Sequence, residues 1–154
     1  MELFLDGYSV LIDDDDYDII KSHIWHARMC GTGGPYVICQ ERNHYKRKEY
    51  KLHRLITNAQ PGDQVDHINL NTLDNRKSNL RICTHAENQH NRKMYKTNKS
   101  GYKGVYWYKP TKKWKAQISI DGKRISLGYF KDIIDAHEAY KEAAIRLYGE
   151  YARY

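Results

Sequence analysis

Cysteine is scarce in this sequence: Cys30, Cys39 and Cys83 are the whole complement, an odd number with no CxxC spacing. That excludes the disulfide framework of a small secreted domain and predicts reduced side chains packed inside a cytosolic protein. A zinc set drawn from Cys30, Cys39 and His26 or His44 is the alternative use of two of them. No apolar run is long enough to cross a bilayer, and the first residues lack the apolar core of a signal peptide. The expectation is therefore a cytoplasmic chain with no membrane partner. Phenylalanine is nearly absent, 2 residues against 14 tyrosines, so the aromatic surface suits half-wet faces such as nucleic-acid platforms. The run Asp13–Asp16 lacks the alternating ligands and terminal glutamate of an EF-hand calcium loop. It reads instead as the acidic start of a helix.

Positive charge is what the chain has in excess. Its 154 residues, enough for one ordinary domain or two small ones, carry 26 Lys and Arg against 19 acids, a formal charge of +7. The distribution says more than the sum. Between His85 and Lys115 lie nine basic residues, from Arg92, Lys93, Lys96, Lys99 and Lys103 to Lys109, Lys112, Lys113 and Lys115, against the single acid Glu87. Such a block is the electrostatic footprint of a nucleic-acid partner.

Local patterns divide the chain into parts. LFLDGYSVLI alternates about Asp6-Gly7 as a hairpin does. Tyr17, Ile20, Ile24 and Trp25 recur at helical spacing. GGPYVICQ reads as a strand, and KEYKLHRLI as a second strand or a helix. Val65–Ile68 and Asn79–Cys83 read as two short strands around a polar loop. Thr84 with Glu87 three residues on forms a capping box that should open a helix. MYKTNKSG has linker polarity. YKGVYWYK, KWKAQISID and KRISLGYF follow as three strands, the last two joined at Asp121-Gly122. A helix then carries Ile133, Ala136, Tyr140, Ala143, Ala144 and Leu147 on one face, closed by Gly149.

The chemistry concentrates in VDHINLNTLDNRKSNLRICTHAENQHNR, residues 65–92. Asparagine is a poor former of helix and strand, yet it stands at positions 69, 71, 75, 79, 88 and 91. Its amide can pin a loop, and its carbonyl oxygen can ligate a hard cation. Asp66 and His67 are adjacent on a strand and point to opposite faces unless the strand twists or ends there, so one can hold a metal while the other faces substrate. Asn88, one turn into the helix, would be the second oxygen donor beside Asp66. His67 has an ordinary pKa near 6.5 and suits proton abstraction at neutral pH.

The pattern DHIN…DNRKSNLR…TxxEN resembles the HNH nuclease motif, a ββα-metal fold found in colicin-type nucleases and in homing endonucleases of phages and introns. The likeness is to the homing group, in which Asp-His begins the motif and Asn replaces the final His. The resemblance implies Asp66 and Asn88 as ligands of one Mg²⁺ (or Mn²⁺), His67 as general base and Asn79 as the residue that ties the loop and orients His67. It implies Arg92 facing the scissile phosphate, with Asn91 a weaker alternative there. His53 resembles a position that recurs upstream of the motif, for packing or phosphate contact. His85 and His90 are further candidates for metal, backbone or DNA contact.

The signposts YKGV, KWxAxI, LGYF and AxxxAYxxxA, followed by YGEYA, resemble the plant APETALA2/ethylene-response-factor DNA-binding domain. Alternation turns Val105, Trp107, Trp114, Ala116, Ile118, Ile120, Ile125 and Leu127 inward. It leaves Lys103, Tyr106, Tyr108, Lys115, Gln117, Ser119, Arg124 and Ser126 outward. In that family this sheet face lies in the major groove. Several Arg and Trp positions of the family are Tyr, Ser or Gln here, so its target sequence does not carry over.

The expected architecture is α+β. Residues 1–92 form an HNH nuclease domain, with an N-terminal α+β region at 1–60 and the ββα-metal motif at 61–92. A basic linker spans 93–101, in which Lys93, Lys96 and Lys99 track phosphates. Residues 102–154 form a small three-stranded antiparallel sheet packed on one helix. The expected activity is metal-dependent hydrolysis of double-stranded DNA by a homing-type endonuclease in a phage or bacterial host cell, nicking as a monomer or cutting both strands as a homodimer. A DNA-binding regulator that keeps the nuclease fold without cutting is the alternative, and an RNA-directed protein is a third.

Overall fold

The first chain reversal falls at Asp6-Gly7, where φ is +50° and +83°, the two left-handed residues that a tight hairpin turn requires. It joins β1 (Glu2–Leu5) to β2 (Tyr8–Leu11) in antiparallel register. The structure is a computed structural model and describes residues 1–31, 33–42 and 46–154. His44, one candidate for the zinc set, lies outside them. The chain forms two compact units, Met1–Thr84 and His85–Tyr154, each described by itself.

In the first unit the helix expected from Tyr17 through Trp25 is much shorter. A 3-10 turn over Asp14–Asp16 leads into α1 (Tyr17–Lys21). The chain then bends away, because Ser22 Oγ donates to Ile19 O (2.9 Å) and Trp25 Nε1 donates to Ile20 O (3.1 Å). Ile24 is left 79% exposed, while Trp25 is buried. Trp25 opens a strand that the helical spacing concealed, β3 (Trp25–Met29). β3, β4 (Pro35–Arg42) and β5 (Arg47–Lys51) form an antiparallel sheet in that order. KEYKLHRLI contains both expected alternatives, since β5 runs straight into α2 (Leu52–Ile56). β6 (Gln64–His67) and β7 (Leu80–Cys83) make a separate two-stranded ribbon.

Val10, Ile12, Ile20, Trp25, Val37, Cys39, Leu52, Ile56 and Leu80 form the core of this unit. Each fully buried aliphatic side chain contributes roughly 1.5–3 kcal/mol. Cys39 and Cys83 are buried free thiols and Cys30 a half-buried one. Among the described residues no cluster of three or more His, Cys, Asp or Glu side chains is arranged to hold a metal ion. The zinc alternative therefore has no support there.

The second unit opens with α3 (His85–His90) and continues into the basic stretch. The end of that stretch is ordered by side chains. Asn98 Nδ2 donates to Tyr102 O (2.8 Å), and Asn98 Oδ1 accepts from the amide and hydroxyl of Ser100. β8 (Val105–Tyr108), β9 (Lys113–Ile120) and β10 (Lys123–Phe130) form an antiparallel sheet with β9 central. Asp121-Gly122 is again a left-handed pair, at +48° and +75°. A bulge at Ser126/Gly128 shifts the β10 register.

α4 (Ile133–Tyr148) is capped by Asp132, whose side chain accepts from Ile134 N, and ends at Gly149. It packs Ala136, Tyr140, Ala143, Ala144 and Tyr148 on Val105, Ala116 and Ile118. Gly104 makes this approach possible. At φ +72°, a Cβ there would lie 2.2 Å from two Tyr140 ring carbons. Trp107 and Ile125, expected inside, are 46% and 42% exposed. No helix of the described residues is long and apolar enough to cross a membrane.

Candidate active site and nucleic-acid face

Three neighbouring pieces of the first unit converge around His67. Asp66 and His67 end β6 and are both buried, with 4% and 5% exposure. Pairing puts Asp66 directly opposite Arg81 on β7. Arg81 Nε and Nη2 both donate to Asp66 Oδ2, at 2.9 and 2.7 Å. A buried carboxylate needs such a partner, since an unpaired one is costly to desolvate. Sequence reasoning missed Arg81. Its signal was the opposite charge across the ribbon, legible only once the register is known.

The polar loop between the strands is braced by its own asparagines. Asn79 Oδ1 accepts from Asn69 N (2.9 Å) and its Nδ2 donates to Asp74 O (2.7 Å). Asn69 Nδ2 donates to Asp74 Oδ2 (2.8 Å), and Arg76 clamps the same carboxylate through Nε and Nη2. These bonds, the Arg76 bond first, hold the Asp74 carboxyl below its usual pKa. Asn71 and Asn69 make further side-chain turns. The loop also docks on the amino-terminal hairpin, as Leu11 N donates to Leu73 O and Asn75 N donates to Leu11 O.

His67 shares its pocket with His53 on α2 and Tyr36 on β4. The two imidazole centroids stand 5.2 Å apart edge to face, and Tyr36 stands 5.5 Å from His53 and 6.1 Å from His67. Burial pushes the His67 pKa down, against the opposing pull of Asn75, Asp66 and Asp74. Burial, helped by the charges of His67, Lys51 and Arg54, takes His53 down to about 3. Both rings are therefore neutral at physiological pH, the state in which an imidazole accepts a proton or binds a metal. His53 is 6% exposed, and its Nδ1 has no hydrogen-bond partner. Its ring contacts with Tyr36 and His67 are the packing alternative expected from sequence.

The first unit thus brings together Asp66, His67 and Asn79. The second unit carries the other candidates. Asn88 is half-buried on α3, and Arg92 lies exposed just beyond it, donating to Gln89 Oε1 (2.7 Å) and standing over the Tyr95 ring at 5.3 Å. Asn91, the weaker alternative to Arg92, is buried, and its Oδ1 accepts from Arg153 (3.3 Å). His90 stacks on Tyr148 at 3.7 Å, which occupies its ring face. His85 is exposed at the start of α3.

Lys93, Lys96 and Lys99 are all exposed or half-exposed along the basic stretch, as phosphate contacts must be. Lys103 is not on the outer sheet face where alternation put it. Its Nζ donates to His90 O (2.6 Å) and Arg92 O (3.1 Å). Burial and the charges of Arg153 and Arg92 lower its pKa to about 8. It lines a cavity of about 500 Å³ within this unit, with Arg92, Lys93, Tyr95 and Tyr148.

The rest of the outward set shares one face of the sheet. Tyr106 pairs with Lys115, Gln117 with Ser126 and Ser119 with Arg124. Tyr106 Oη donates to Gln117 Oε1 (3.2 Å). Lys115 Nζ lies 5.5 Å from the Tyr108 ring centroid and 5.4 Å from that of Tyr129, a cation held between two rings. Tyr129 was missing from the expected set because the β10 bulge reverses the alternation there.

Comparison with known proteins gives two family matches, the first of which runs from the first unit through α3. Residues 50–90 match the HNH endonuclease family model and residues 100–150 match the AP2 domain model. The chain therefore carries an HNH endonuclease domain at 50–90 and an AP2 domain at 100–150. Among its relatives is Protein 3.8 of Escherichia phage T7, 31% identical over 93 residues, which cover 60% of this chain and 76% of that protein. Another is the uncharacterized HNH endonuclease L560 of Acanthamoeba polyphaga mimivirus, 28% identical over 147 residues, covering 95% of this chain and 74% of the relative. No solved structure gives a significant match.

Proposed function

We propose that this protein is a homing-type, metal-dependent endonuclease of double-stranded DNA. The observation that carries the reading is the neutral, buried His67 beside the buried carboxylate of Asp66, at the mouth of an asparagine-braced loop. We assign 1–92 to the nuclease, with residues 61–92 as its ββα-metal motif, 93–101 to a phosphate-tracking linker and 102–154 to DNA reading.

A hard divalent cation, Mg²⁺ or Mn²⁺, suits the donor chemistry. One carboxylate (Asp66) and one amide oxygen (Asn88) are the ligand types such ions take, with water filling the remaining positions. When bound, the ion would stabilise the charge that develops on phosphorus and on the departing 3′ oxygen. His67 accepts the proton of the attacking water. The water oxygen bonds to phosphorus and the P–O3′ bond breaks; the departing 3′ oxygen takes a proton from solvent water, which leaves a 5′-phosphate and a 3′-hydroxyl. Arg92 neutralises the scissile phosphate, and Asn79 keeps the loop folded around the site. Lys93, Lys96 and Lys99 contact the backbone between the two regions, while Tyr106, Tyr108, Lys115, Gln117, Ser119, Arg124 and Ser126 meet the duplex. Such an enzyme works in the cytoplasm of the phage's or bacterium's cell, nicking as a monomer or cutting both strands as a dimer.

The test is incubation of supercoiled plasmid with the full chain in Mg²⁺ and in EDTA, beside His67→Ala. Conversion to nicked or linear DNA that needs Mg²⁺ and falls at least about 10²-fold in the variant is the expected result. Binding without cleavage by either protein would favour the regulator. Undiminished cleavage by His67→Ala would remove His67 from the mechanism.

A further inference from the structure

We propose that Asn75 is the positioning residue for His67, fixing which imidazole nitrogen carries the proton. The inference rests on His67 as the general base. Asn79, the residue expected from sequence to orient His67, has its carbonyl on Asn69 N and its amide on Asp74 O, both within the loop. Asn75 brings its side chain to the ring. Its Oδ1 stands 3.4 Å from His67 Nε2.

A side-chain amide oxygen can only accept, so this contact requires a proton on Nε2. In a neutral imidazole the lone pair then resides on Nδ1, and Nδ1 becomes the atom that takes the proton from water. The same logic operates wherever a carbonyl or carboxylate behind a catalytic histidine selects its tautomer.

Three features make Asn75 suited to the task. It is fully buried, at 0% exposure, so its oxygen is not competing with bulk water. Its backbone is anchored from outside the loop, because Asn75 N donates to Leu11 O at 2.8 Å and the neighbouring Asp74 bridges to Leu11 in parallel. Its Nδ2 has no hydrogen-bond partner. The amide nitrogen thus holds nothing in the fold, and the acceptor oxygen is the working atom of the side chain. The His53 ring packs edge to face with His67 at 5.2 Å.

The unpartnered Nδ2 supplies a sharp test, since Asn75→Asp removes no bond yet keeps an acceptor oxygen, whereas Asn75→Leu keeps the shape and removes it. Full-length protein labelled with ¹⁵N-histidine would report the His67 tautomer by long-range ¹H–¹⁵N correlation, with His67→Ala identifying its signals. The expected result is an Nε2–H tautomer in the parent and in Asn75→Asp, and a population of Nδ1–H in Asn75→Leu. Plasmid cleavage should fall on the order of 10²-fold in Asn75→Leu with DNA affinity unchanged. Asn75→Asp should recover at least about tenfold of that loss. An unaltered tautomer in Asn75→Leu, or an Asp variant as defective as the Leu variant, would overturn the proposal. Should Asn75→Leu fail to fold, loss of the Nε2–H tautomer in Asn75→Asp would overturn it alone. The tautomer is read without cleavage, so failure of His67 as base and failure of Asn75 as its positioner give different results.

Discussion

Replacing His53 by Phe keeps a ring in the pocket but removes its ability to titrate, and the effect should emerge as the pH falls. Buried beside His67, His53 has a pKa of about 3 in the folded chain, against about 6.5 when unfolded. The unfolded chain therefore takes up this proton first. Stability that is complete above about pH 6.5 drains away as the pH falls toward 3. At pH 5 protonation favours the unfolded state by about thirtyfold while the folded ring stays neutral. His53 alone should thus cost the first unit about 2 kcal/mol between pH 7 and pH 5. Trp25 is buried in that unit's core, so its fluorescence in a Trp107→Phe, Trp114→Phe background reports unfolding of this unit. With a urea dependence of about 1–2 kcal/mol per molar, the midpoint of the parent should drop about 1–2 M more than that of His53→Phe over this range. Equal drops in the two proteins would refute the neutral, buried state of His53.

Arg81→Leu leaves the Asp66 carboxylate without its bidentate partner and should destabilise the first unit by about 3 kcal/mol, measured by the same urea unfolding. Asp66→Asn placed on top should recover part of that loss. Gly104→Ala drives a methyl into the Tyr140 ring and adds strain at positive φ. It should cost the second unit about 2–4 kcal/mol, visible in calorimetry as a lowered Tm for that unit alone. Changing Lys93, Lys96 and Lys99 together to Ala should weaken duplex binding and flatten the slope of log affinity against log salt by about 2.7, or about 0.9 for each phosphate left without its lysine. A slope unchanged in fluorescence-anisotropy titrations would place those lysines off the backbone.

Much of this was legible in sequence because local rules and tertiary structure agree. Asp6-Gly7 and Asp121-Gly122 both take the left-handed pair that tight hairpins need, and Asp132 and Gly149 delimit α4 as cap and stop. Reading failed where packing overrode the local pattern. Tyr17, Ile20, Ile24 and Trp25 fit a helical stripe, but Trp25 gains more by joining β3 and burying its ring over the core. Strand alternation assigned Trp107 and Ile125 to the interior, yet they are 46% and 42% exposed. It misplaced Lys103, which lies before β8 and turns onto backbone carbonyls. Around the candidate active site the residue types were readable, and Asp66, His67 and Asn79 do cluster. The pairings were not. Which asparagine meets His67 and which arginine meets Asp66 depend on register and on a hairpin far upstream in the chain.

That hairpin bears on how the nuclease region can be moved between proteins. The family match begins at residue 50, yet the backbone of Leu73 and Asn75 is strapped to Leu11. A recombination event, or a designer's graft, that carried residues 50–90 into a new host would deliver the loop without its strap. The inheritable cassette is larger than the recognisable motif and includes the amino-terminal hairpin of the chain.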